Sequence, residues 1–336
     1  MATNKTLDKL TSFKPKDLIN ESFSNSFLEV TSLIFKSIDD LNLIIYAKEN
    51  TLVCYDINNN QKVNEVLKAH EKKISYLNHY SEKSEKVNVM LSLSTNDNIL
   101  KVWNIKSFDC LYTFNTINNQ GWINCACFLN DNNKIYVLST NSLGFSKKPD
   151  PIKVFDLKGN KVKEIQNSNY NTNFIDVYYD NKSSKKYIIT GNIGFSNSYD
   201  YDNNNVYHKY NSEDYKFHIT LIIKEEGKKV ELIELINNGK VKIWNFHTGD
   251  KLKEIDVDSK NLIGINLWDN NYLLAICGDR SESNIKVISL NNEKKITQLK
   301  CDNKELIKVS KIVHYQYGEC FVTQGKNGFM LWRSEI

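Results

Sequence analysis

The chain has 336 residues, of which 40% are hydrophobic and 11% aromatic, and this apolar content is enough to fill a folded core. Its 44 basic and 40 acidic residues leave a formal net charge of +4, and the lysines are scattered along the chain. Specific nucleic-acid binding is therefore not indicated, because it needs basic residues gathered on one surface. The presence of only three prolines argues against long disordered linkers.

The cysteines and the N-terminal segment indicate where the protein works. Most of the seven cysteines lie inside apolar runs, where a thiol usually serves as a small core residue. Residues 1–18 are polar and show no secretory signal, and no apolar stretch reaches membrane-spanning length. We therefore expect a cytoplasmic protein, with the nucleus as the alternative location, and no membrane partner.

A short phrase recurs along the chain, in which an apolar strand ends on a mostly aromatic residue followed by a polar one. The penultimate residues of the phrase are Tyr55, Trp103, Phe155, Tyr199, Trp244, Ile288 and Trp332. The intervals between them are 48, 52, 44, 45, 44 and 44 residues. A period in the forties with four short apolar runs predicts radially repeated four-stranded sheets, because one such sheet cannot bury both faces alone.

Turn residues divide each repeat into four predicted strands rich in Val, Ile, Leu, Tyr and Phe. In the second repeat the strands are predicted over residues 73–80, 87–94, 99–104 and 110–114. In the fifth they are predicted over 217–224, 230–236, 240–245 and 251–255, and in the sixth over 262–268, 272–277, 284–288 and 294–299. The even spacing of the repeats favours one domain.

The seventh repeat has only three predicted strands, over residues 306–315, 319–324 and 329–332. We expect its fourth strand to come from the N-terminal segment, near residues 17–23, just before the first strand of the first repeat at 28–35. Pairing the two ends would close a ring and remove exposed sheet edges. The predicted organisation is a tail over residues 1–16 and a single domain over residues 17–336.

These residues resemble those of WD40 repeat proteins over almost the whole chain. The second repeat matches best, with Ala69-His70 in the Gly-His position, Asp97 in the second turn and Trp103-Asn104 in the Trp-Asp position. In that family the His, Asp and Trp side chains join a Ser or Thr in a buried hydrogen-bond network. Leu93 stands where we expect this hydroxyl, so the network is predicted to be incomplete.

The resemblance implies an all-β, seven-bladed β-propeller of four-stranded antiparallel blades. The regular intervals favour this fold over a β-sandwich or a pair of unrelated β domains. Weaker versions of the motif are Trp244-Asn245 with Asn238, and Trp332-Arg333. The predicted blades cover residues 27–68, 69–116, 117–167, 168–212, 213–257, 258–300, and 301–336 with 17–23.

Sequence signatures of enzymes and metal sites would indicate alternative functions. The chain has no Gly-x-Ser-x-Gly elbow and no glycine-rich phosphate-binding motif, and none of its six histidines forms a spaced pair with a carboxylate. Cys125 and Cys127 lack a second cysteine pair at metal-ligand spacing, so we expect them in the core. We therefore expect no enzymatic activity, no catalytic residue, no metal and no cofactor.

The expected function is a scaffold or adaptor that binds a protein or peptide partner and forms part of a larger complex. In the WD40 family, partners often lie across the narrow face formed by the loops that join strand four to strand one and strand two to strand three. The residues that we place on this face are Lys72, Asn96, Trp122, Asn192, Lys260, Asp279, Arg280 and Lys326. Trp122 is either an aromatic anchor for a peptide or a ring packed between blades. The alternatives are a structural subunit of a cytoskeletal or ribonucleoprotein assembly and an enzyme with a site in the channel.

Overall fold

The fold of the chain is a ring of seven four-stranded antiparallel sheets, as seen in a computed structural model. The structure describes residues 13–19, 30–38, 41–81, 87–115, 122–142, 151–166, 172–191, 195–211, 218–236, 239–257, 262–278, 283–301, 306, 308–314, 316–325 and 328–334. Across these residues the chain forms strands and turns and contains no helix that could cross a membrane. The prediction of a seven-bladed β-propeller is confirmed.

The strands follow one another in order through the blades, and we call the four strands of each blade a to d from the channel outwards. The first strand of the chain is β1 (Phe13–Ile19). Blade 1 contains β2 (Val30–Ile38), β3 (Leu41–Lys48), β4 (Thr51–Asp56) and β5 (Gln61–Val66). Blade 2 contains β6 (Tyr76–Ser81), β7 (Asn88–Ser94), β8 (Ile99–Asn104) and β9 (Cys110–Asn115). Blade 3 contains β10 (Trp122–Asp131), β11 (Lys134–Ser142), β12 (Ile152–Asp156) and β13 (Lys161–Ile165).

The remaining blades repeat the same order. Blade 4 contains β14 (Phe174–Asp180), β15 (Lys185–Gly191), β16 (Phe195–Asp200) and β17 (Asn205–Asn211). Blade 5 contains β18 (His218–Glu226), β19 (Lys229–Ile236), β20 (Lys240–Asn245) and β21 (Lys251–Asp256). Blade 6 contains β22 (Leu262–Leu267), β23 (Tyr272–Gly278), β24 (Ser283–Ser289) and β25 (Lys294–Cys301). Blade 7 contains β26 (Lys308–His314), β27 (Gly318–Gly325) and β28 (Gly328–Ser334), with β1 as its strand d.

The N-terminal strand closes the ring as the sequence predicts, but it begins earlier in the chain. β1 pairs antiparallel with β28, and Pro15 lies opposite Trp332. The strand therefore starts at Phe13, inside the segment assigned to a tail, and ends at Ile19. Proline has no amide hydrogen and interrupts most strands, yet it is tolerated in β1 because this strand lies at the outer edge of its sheet.

The core consists of seven separate hydrophobic clusters, one in each gap between neighbouring blades. The cluster that joins the two ends of the chain packs Tyr46 and Tyr55 of blade 1 against Phe329 and Leu331 of blade 7. The rings of Tyr46 and Phe329 lie 5.1 Å apart. Strands buried on both faces lose the alternation of polar and apolar residues, which explains the continuous burial of β7.

The polar residue that ends the recurring phrase has a structural role at the turn between strands c and d. Asn104 Oδ1 accepts hydrogen bonds from the amides of Lys106 and Ser107, at 2.8 and 3.1 Å. Asp156 Oδ1 likewise accepts the amide of Lys158 at 2.9 Å. Side-chain oxygens of Asn and Asp stabilise turns in this way. The same type of contact is formed by Asp56, Asp200, Asn245 and Ser289.

A one-residue β-bulge recurs in strand d of blades 1 to 6. It lies opposite the end of strand c, where the recurring aromatic-polar phrase stands. In blade 1, Cys54 pairs with Asn64 and Tyr55 pairs with Lys62, which leaves Val63 unpaired. A bulge bends the outermost strand and makes edge-to-edge pairing with another chain unfavourable. The residues in the bulge position are Val63, Leu111, Val162, Tyr207, Leu252 and Ile296.

Candidate functional site

Two ends of the ring carry different loops, and we name them by those loops. The d–a face carries the connections from strand d to the next strand a and the turns between strands b and c. The a–b face carries the turns between strands a and b and between strands c and d. Of the residues proposed from the sequence, the three that the structure describes, Lys72, Asn96 and Trp122, lie at the d–a face.

In the hydrogen-bond network of blade 2, Ser92 joins Trp103 and His70, while the contact between His70 and Asp97 is longer than a hydrogen bond. Ser92 Oγ accepts a hydrogen bond from Trp103 Nε1 at 2.8 Å and lies 2.7 Å from His70 Nε2. His70 Nδ1 lies 3.8 Å from Asp97 Oδ2. The Ser92 oxygen accepts the hydrogen bond of the indole N–H, so the hydroxyl hydrogen of Ser92 can be donated to His70 Nε2. This arrangement assigns the ring proton of His70 to Nδ1, on the side of Asp97.

The hydroxyl of this network comes from Ser92, and the expectation that it is missing at Leu93 is wrong. Side chains alternate between the two faces of a strand. Ser92 pairs with Lys101, which lies on the same face as Trp103, whereas Leu93 points to the opposite face. Leu93 packs there in the cluster between blades 2 and 3. A shift of one residue therefore decides whether a hydroxyl reaches Trp103 and His70.

His70 is neutral in the folded protein. Burial lowers the pKa of its imidazole from 6.5 to about 4, and the charge of Lys101 also lowers it, while Asp97 acts in the opposite direction. A neutral imidazole keeps one nitrogen as a donor and the other as an acceptor, as the contact with the Ser92 hydroxyl requires. His70 is thus a structural residue.

Asp97 joins two loops of the d–a face. Its Oδ1 accepts the amide of Ile99 at 3.1 Å, and its Oδ2 accepts the amide of Lys72 at 3.3 Å. Lys72 belongs to the loop that enters blade 2, whereas Asn96 belongs to the turn between β7 and β8. Both Lys72 and Asn96 are exposed. The structure therefore brings these two predicted partner-binding residues to one face on loops that Asp97 connects.

A partly buried lysine contacts the backbone of the same loop. Lys101 Nζ donates a hydrogen bond to the carbonyl oxygen of Ala69 at 2.7 Å. Blade 6 repeats this contact, since Lys286 Nζ donates to the carbonyl oxygen of Val257 at 2.7 Å. Lys153 and Lys242 occupy the corresponding positions of blades 3 and 5 and are also buried. Lys101 and Lys286 thus stabilise the backbone of the d–a loops from beneath the d–a face.

Blades 5 and 7 contain variants of the tryptophan contact. In blade 7 the hydroxyl of Thr323 accepts the hydrogen bond of Trp332 Nε1 at 2.8 Å. In blade 5 the acceptor is a carboxylate, because Glu234 Oε2 lies 3.1 Å from Trp244 Nε1. The other carboxylate oxygen of Glu234 accepts a hydrogen bond from the Ser196 hydroxyl of blade 4. Asn238, the further residue of the weak motif, lies outside the described residues.

The remaining predicted partner-binding residues are only partly described. Trp122 is the first residue of β10, at the d–a face, and its backbone pairs with Ser142. The five others lie outside the described residues, and they are Asn192, Lys260, Asp279, Arg280 and Lys326.

Cys125 and Cys127 lie in the core, as predicted. Both pack in the cluster between blades 3 and 4. Burial raises the pKa of the Cys125 thiol to about 12, and that of Cys127 is also well above its usual value. Cys125 Sγ lies 3.0 Å from Thr140 Oγ1. These thiols remain protonated at neutral pH and fill space between the blades.

A cleft at the a–b face was not anticipated from the sequence. Its volume is about 1110 Å³, and it is lined by the ends of strand a in blades 2 to 5 and by the a–b turns of blades 3 and 4. Tyrosines at the ends of these strands, Tyr80, Tyr178 and Tyr179, form part of its wall. The feature of the sequence that could have indicated this site is a tyrosine near the end of strand a, before the a–b turn. This feature does not predict a cleft, because the cleft forms only where four blades lie side by side.

Comparison of the chain with models of protein families and with curated proteins finds no match. The assignment to a seven-bladed β-propeller rests on the geometry of the blades themselves, which is consistent with a WD40-type protein.

Proposed function

We propose that this protein is a non-enzymatic scaffold or adaptor that binds a protein or peptide partner on the d–a face. The observation that carries the proposal is the Asp97 contact, which joins the loop of Lys72 to the turn of Asn96 while leaving both side chains exposed. A surface that is held in place before binding loses little conformational entropy when a partner docks.

Further hydrogen bonds immobilise the same part of the face. The hydroxyls of Ser75 and Thr95 lie 2.6 Å apart and connect strand a to the b–c turn of blade 2. Asn98 Oδ1 accepts the amide of Ile123 at 2.8 Å and thus connects this turn to blade 3. Rigid display of polar side chains on loops supports specific recognition of a partner.

The experiment compares partner capture by charge-altered variants in the native cell. The double variant Lys72→Glu and Asn96→Arg changes the d–a face of blade 2. The matched control, Asn292→Arg with Lys295→Glu, makes the same two replacements near the c–d turn of blade 6, where both residues are exposed. Affinity purification with quantitative mass spectrometry measures every protein that is recovered.

We expect that a specific partner recovered with the wild-type protein is lost from the Lys72 and Asn96 variant and kept by the control. Loss of the partner from the control alone would place binding elsewhere and contradict the proposal. Recovery of the protein alone, together with turnover of a small molecule, would favour an enzyme instead.

A further inference from the structure

The cleft at the a–b face has the size and the lining of a binding site. Pockets for small molecules commonly have volumes of about 300–1,000 Å³. A volume of about 1110 Å³ therefore admits several residues of an extended chain. Its wall includes the aliphatic side chains of Val177 and Ile223 as well as tyrosine rings, so part of the surface is apolar.

Two of its tyrosines are held in position by one asparagine. The amide of Asn130 donates a hydrogen bond to Tyr179 Oη at 2.7 Å, and Asn130 Nδ2 donates to Tyr80 Oη. The three residues come from blades 2, 3 and 4, and the tyrosine side chains are only half-buried. Their rings are thus fixed before a ligand arrives, and tyrosine rings attract cationic groups to their faces.

The lysines of the cleft are neutralised by carboxylates of their own. Lys185 Nζ lies 3.1 Å from Asp200 Oδ2. Lys186 Nζ lies 3.0 Å from Asp131 Oδ1 and 3.5 Å from Asp202 Oδ1. The positive charge of this wall is therefore already compensated.

Glu225 at the rim has no such compensation. Its side chain is exposed, and within the described part of the chain no cationic group forms an ion pair with it. Its neighbour Glu226 differs, since Glu226 Oε2 lies 3.4 Å from Lys224 Nζ. Asp180, a second carboxylate of the cleft, is bound by the amide of Lys182 and the hydroxyl of Ser183, which hold its pKa below the usual value. Glu225 thus offers a carboxylate that forms no ion pair within the described part of the chain.

One buried hydroxyl of the cleft, Ser81 Oγ, lacks a hydrogen-bond partner in the described part of the chain. Tyr178 is only 7% exposed, and its hydroxyl lies beside the Glu225 carboxylate. Burial, hydrogen bonding to this carboxylate and its charge together raise the pKa of the phenol. Buried polar groups without partners are uncommon, and they are available to a ligand that brings its own donors and acceptors.

We propose that this cleft binds an extended segment of a partner protein through a lysine or arginine side chain that is held by the Glu225 carboxylate, while other residues of the segment pack on the wall that includes Tyr80 and Tyr179. The backbone of the segment supplies a partner for the Ser81 hydroxyl. This site lies on the face opposite to Lys72 and Asn96, so it goes beyond the proposed function and can be tested without disturbing that surface.

The experiment uses the full chain and a positional-scanning array of N-acetylated, C-amidated octapeptides, in which one central position carries each amino acid in turn. The best peptide and its counterpart with glutamine at the central position are then titrated by fluorescence anisotropy. Glu225→Gln removes the rim charge with almost no change in shape. Glu226→Gln is the matched control, because Glu226 is adjacent and exposed but does not line the cleft.

We expect the wild-type protein and Glu226→Gln to bind the lysine or arginine peptide about tenfold more tightly than the glutamine peptide, as loss of one favourable charge contact predicts. In Glu225→Gln we expect this preference to disappear while the thermal melt stays unchanged. The absence of a basic preference in the wild type, or its full retention in Glu225→Gln, would overturn the proposal. Tighter binding of free spermidine than of any peptide would also overturn it, because the occupant would then be a small polyamine.

Discussion

The Ser92 hydroxyl accepts the indole hydrogen bond of Trp103 at 2.8 Å, across neighbouring strands of blade 2. This contact leads to the first prediction. Ser92→Ala leaves Trp103 Nε1 and His70 Nε2 without their partner in a buried site, and we expect a loss of about 1–3 kcal/mol in the free energy of unfolding. Urea unfolding measures this difference.

The matched control for this prediction lies on the same strand and the same face. Ser94 is also fully buried, but its hydroxyl has no hydrogen-bond partner in the described part of the chain. We therefore expect Ser94→Ala to change the free energy of unfolding by less than about 0.5 kcal/mol, because no hydrogen bond is lost. Equal effects of the two substitutions would show that the Ser92 network contributes nothing beyond the burial of a hydroxyl.

The second prediction concerns the pH dependence of stability. Burial lowers the pKa of His70 from 6.5 to about 4, so between these values the unfolded chain binds a proton that the folded chain does not. Stability is therefore complete above pH 6.5 and falls as the pH is lowered toward 4, by up to about 1.4 kcal/mol per pH unit. Unfolding free energies measured across this window test the direction.

The control for the pH prediction is His70→Gln. This variant is expected to be less stable at neutral pH, but its stability should fall less steeply between pH 6.5 and 4, because the imidazole is gone. The carboxylates of the chain titrate in both the wild type and His70→Gln, so the difference between the two curves reports the imidazole. Parallel stability curves for the wild type and the variant across the window would contradict the assignment of His70 as a buried neutral residue.

The third prediction concerns the closure of the ring by β1. Removal of residues 1–19 exposes the edge of β28 and removes the strand that links the sheet of blade 7 to the start of the chain, so we expect the melting temperature to fall by on the order of 10 °C. Removal of residues 1–12 alone keeps β1 and should change the melting temperature little. If the chain that lacks residues 1–19 melted at the same temperature as the full chain, closure of the ring by β1 would be refuted.

Much of the fold could be predicted from the sequence because the repeat is regular. In blade 2 the predicted strand over 99–104 coincides with β8, and the other three are displaced at an end by three residues or fewer. The sequence predicts the N-terminal strand near residues 17–23, whereas β1 starts at Phe13 and includes Pro15, a residue type that most strands exclude. Only its pairing opposite Trp332 shows that the edge of a sheet accepts this proline.

The details of the sites depend on features that a linear pattern does not contain. Ser92 and Leu93 are adjacent in the sequence, and only the strand register decides which of them faces Trp103. The cleft is lined by residues from Tyr80 of blade 2 to Glu225 of blade 5, so it arises from the arrangement of neighbouring blades and from no single repeat.

The proposed use of the d–a face is tested most directly by photo-crosslinking in the native cell. A photoreactive phenylalanine analogue is placed at position 96, on the d–a face, or at position 292, at the c–d turn of blade 6. We predict a specific cross-linked partner from position 96 and none from position 292. A partner that cross-links only at position 292, or at neither position, would contradict the account.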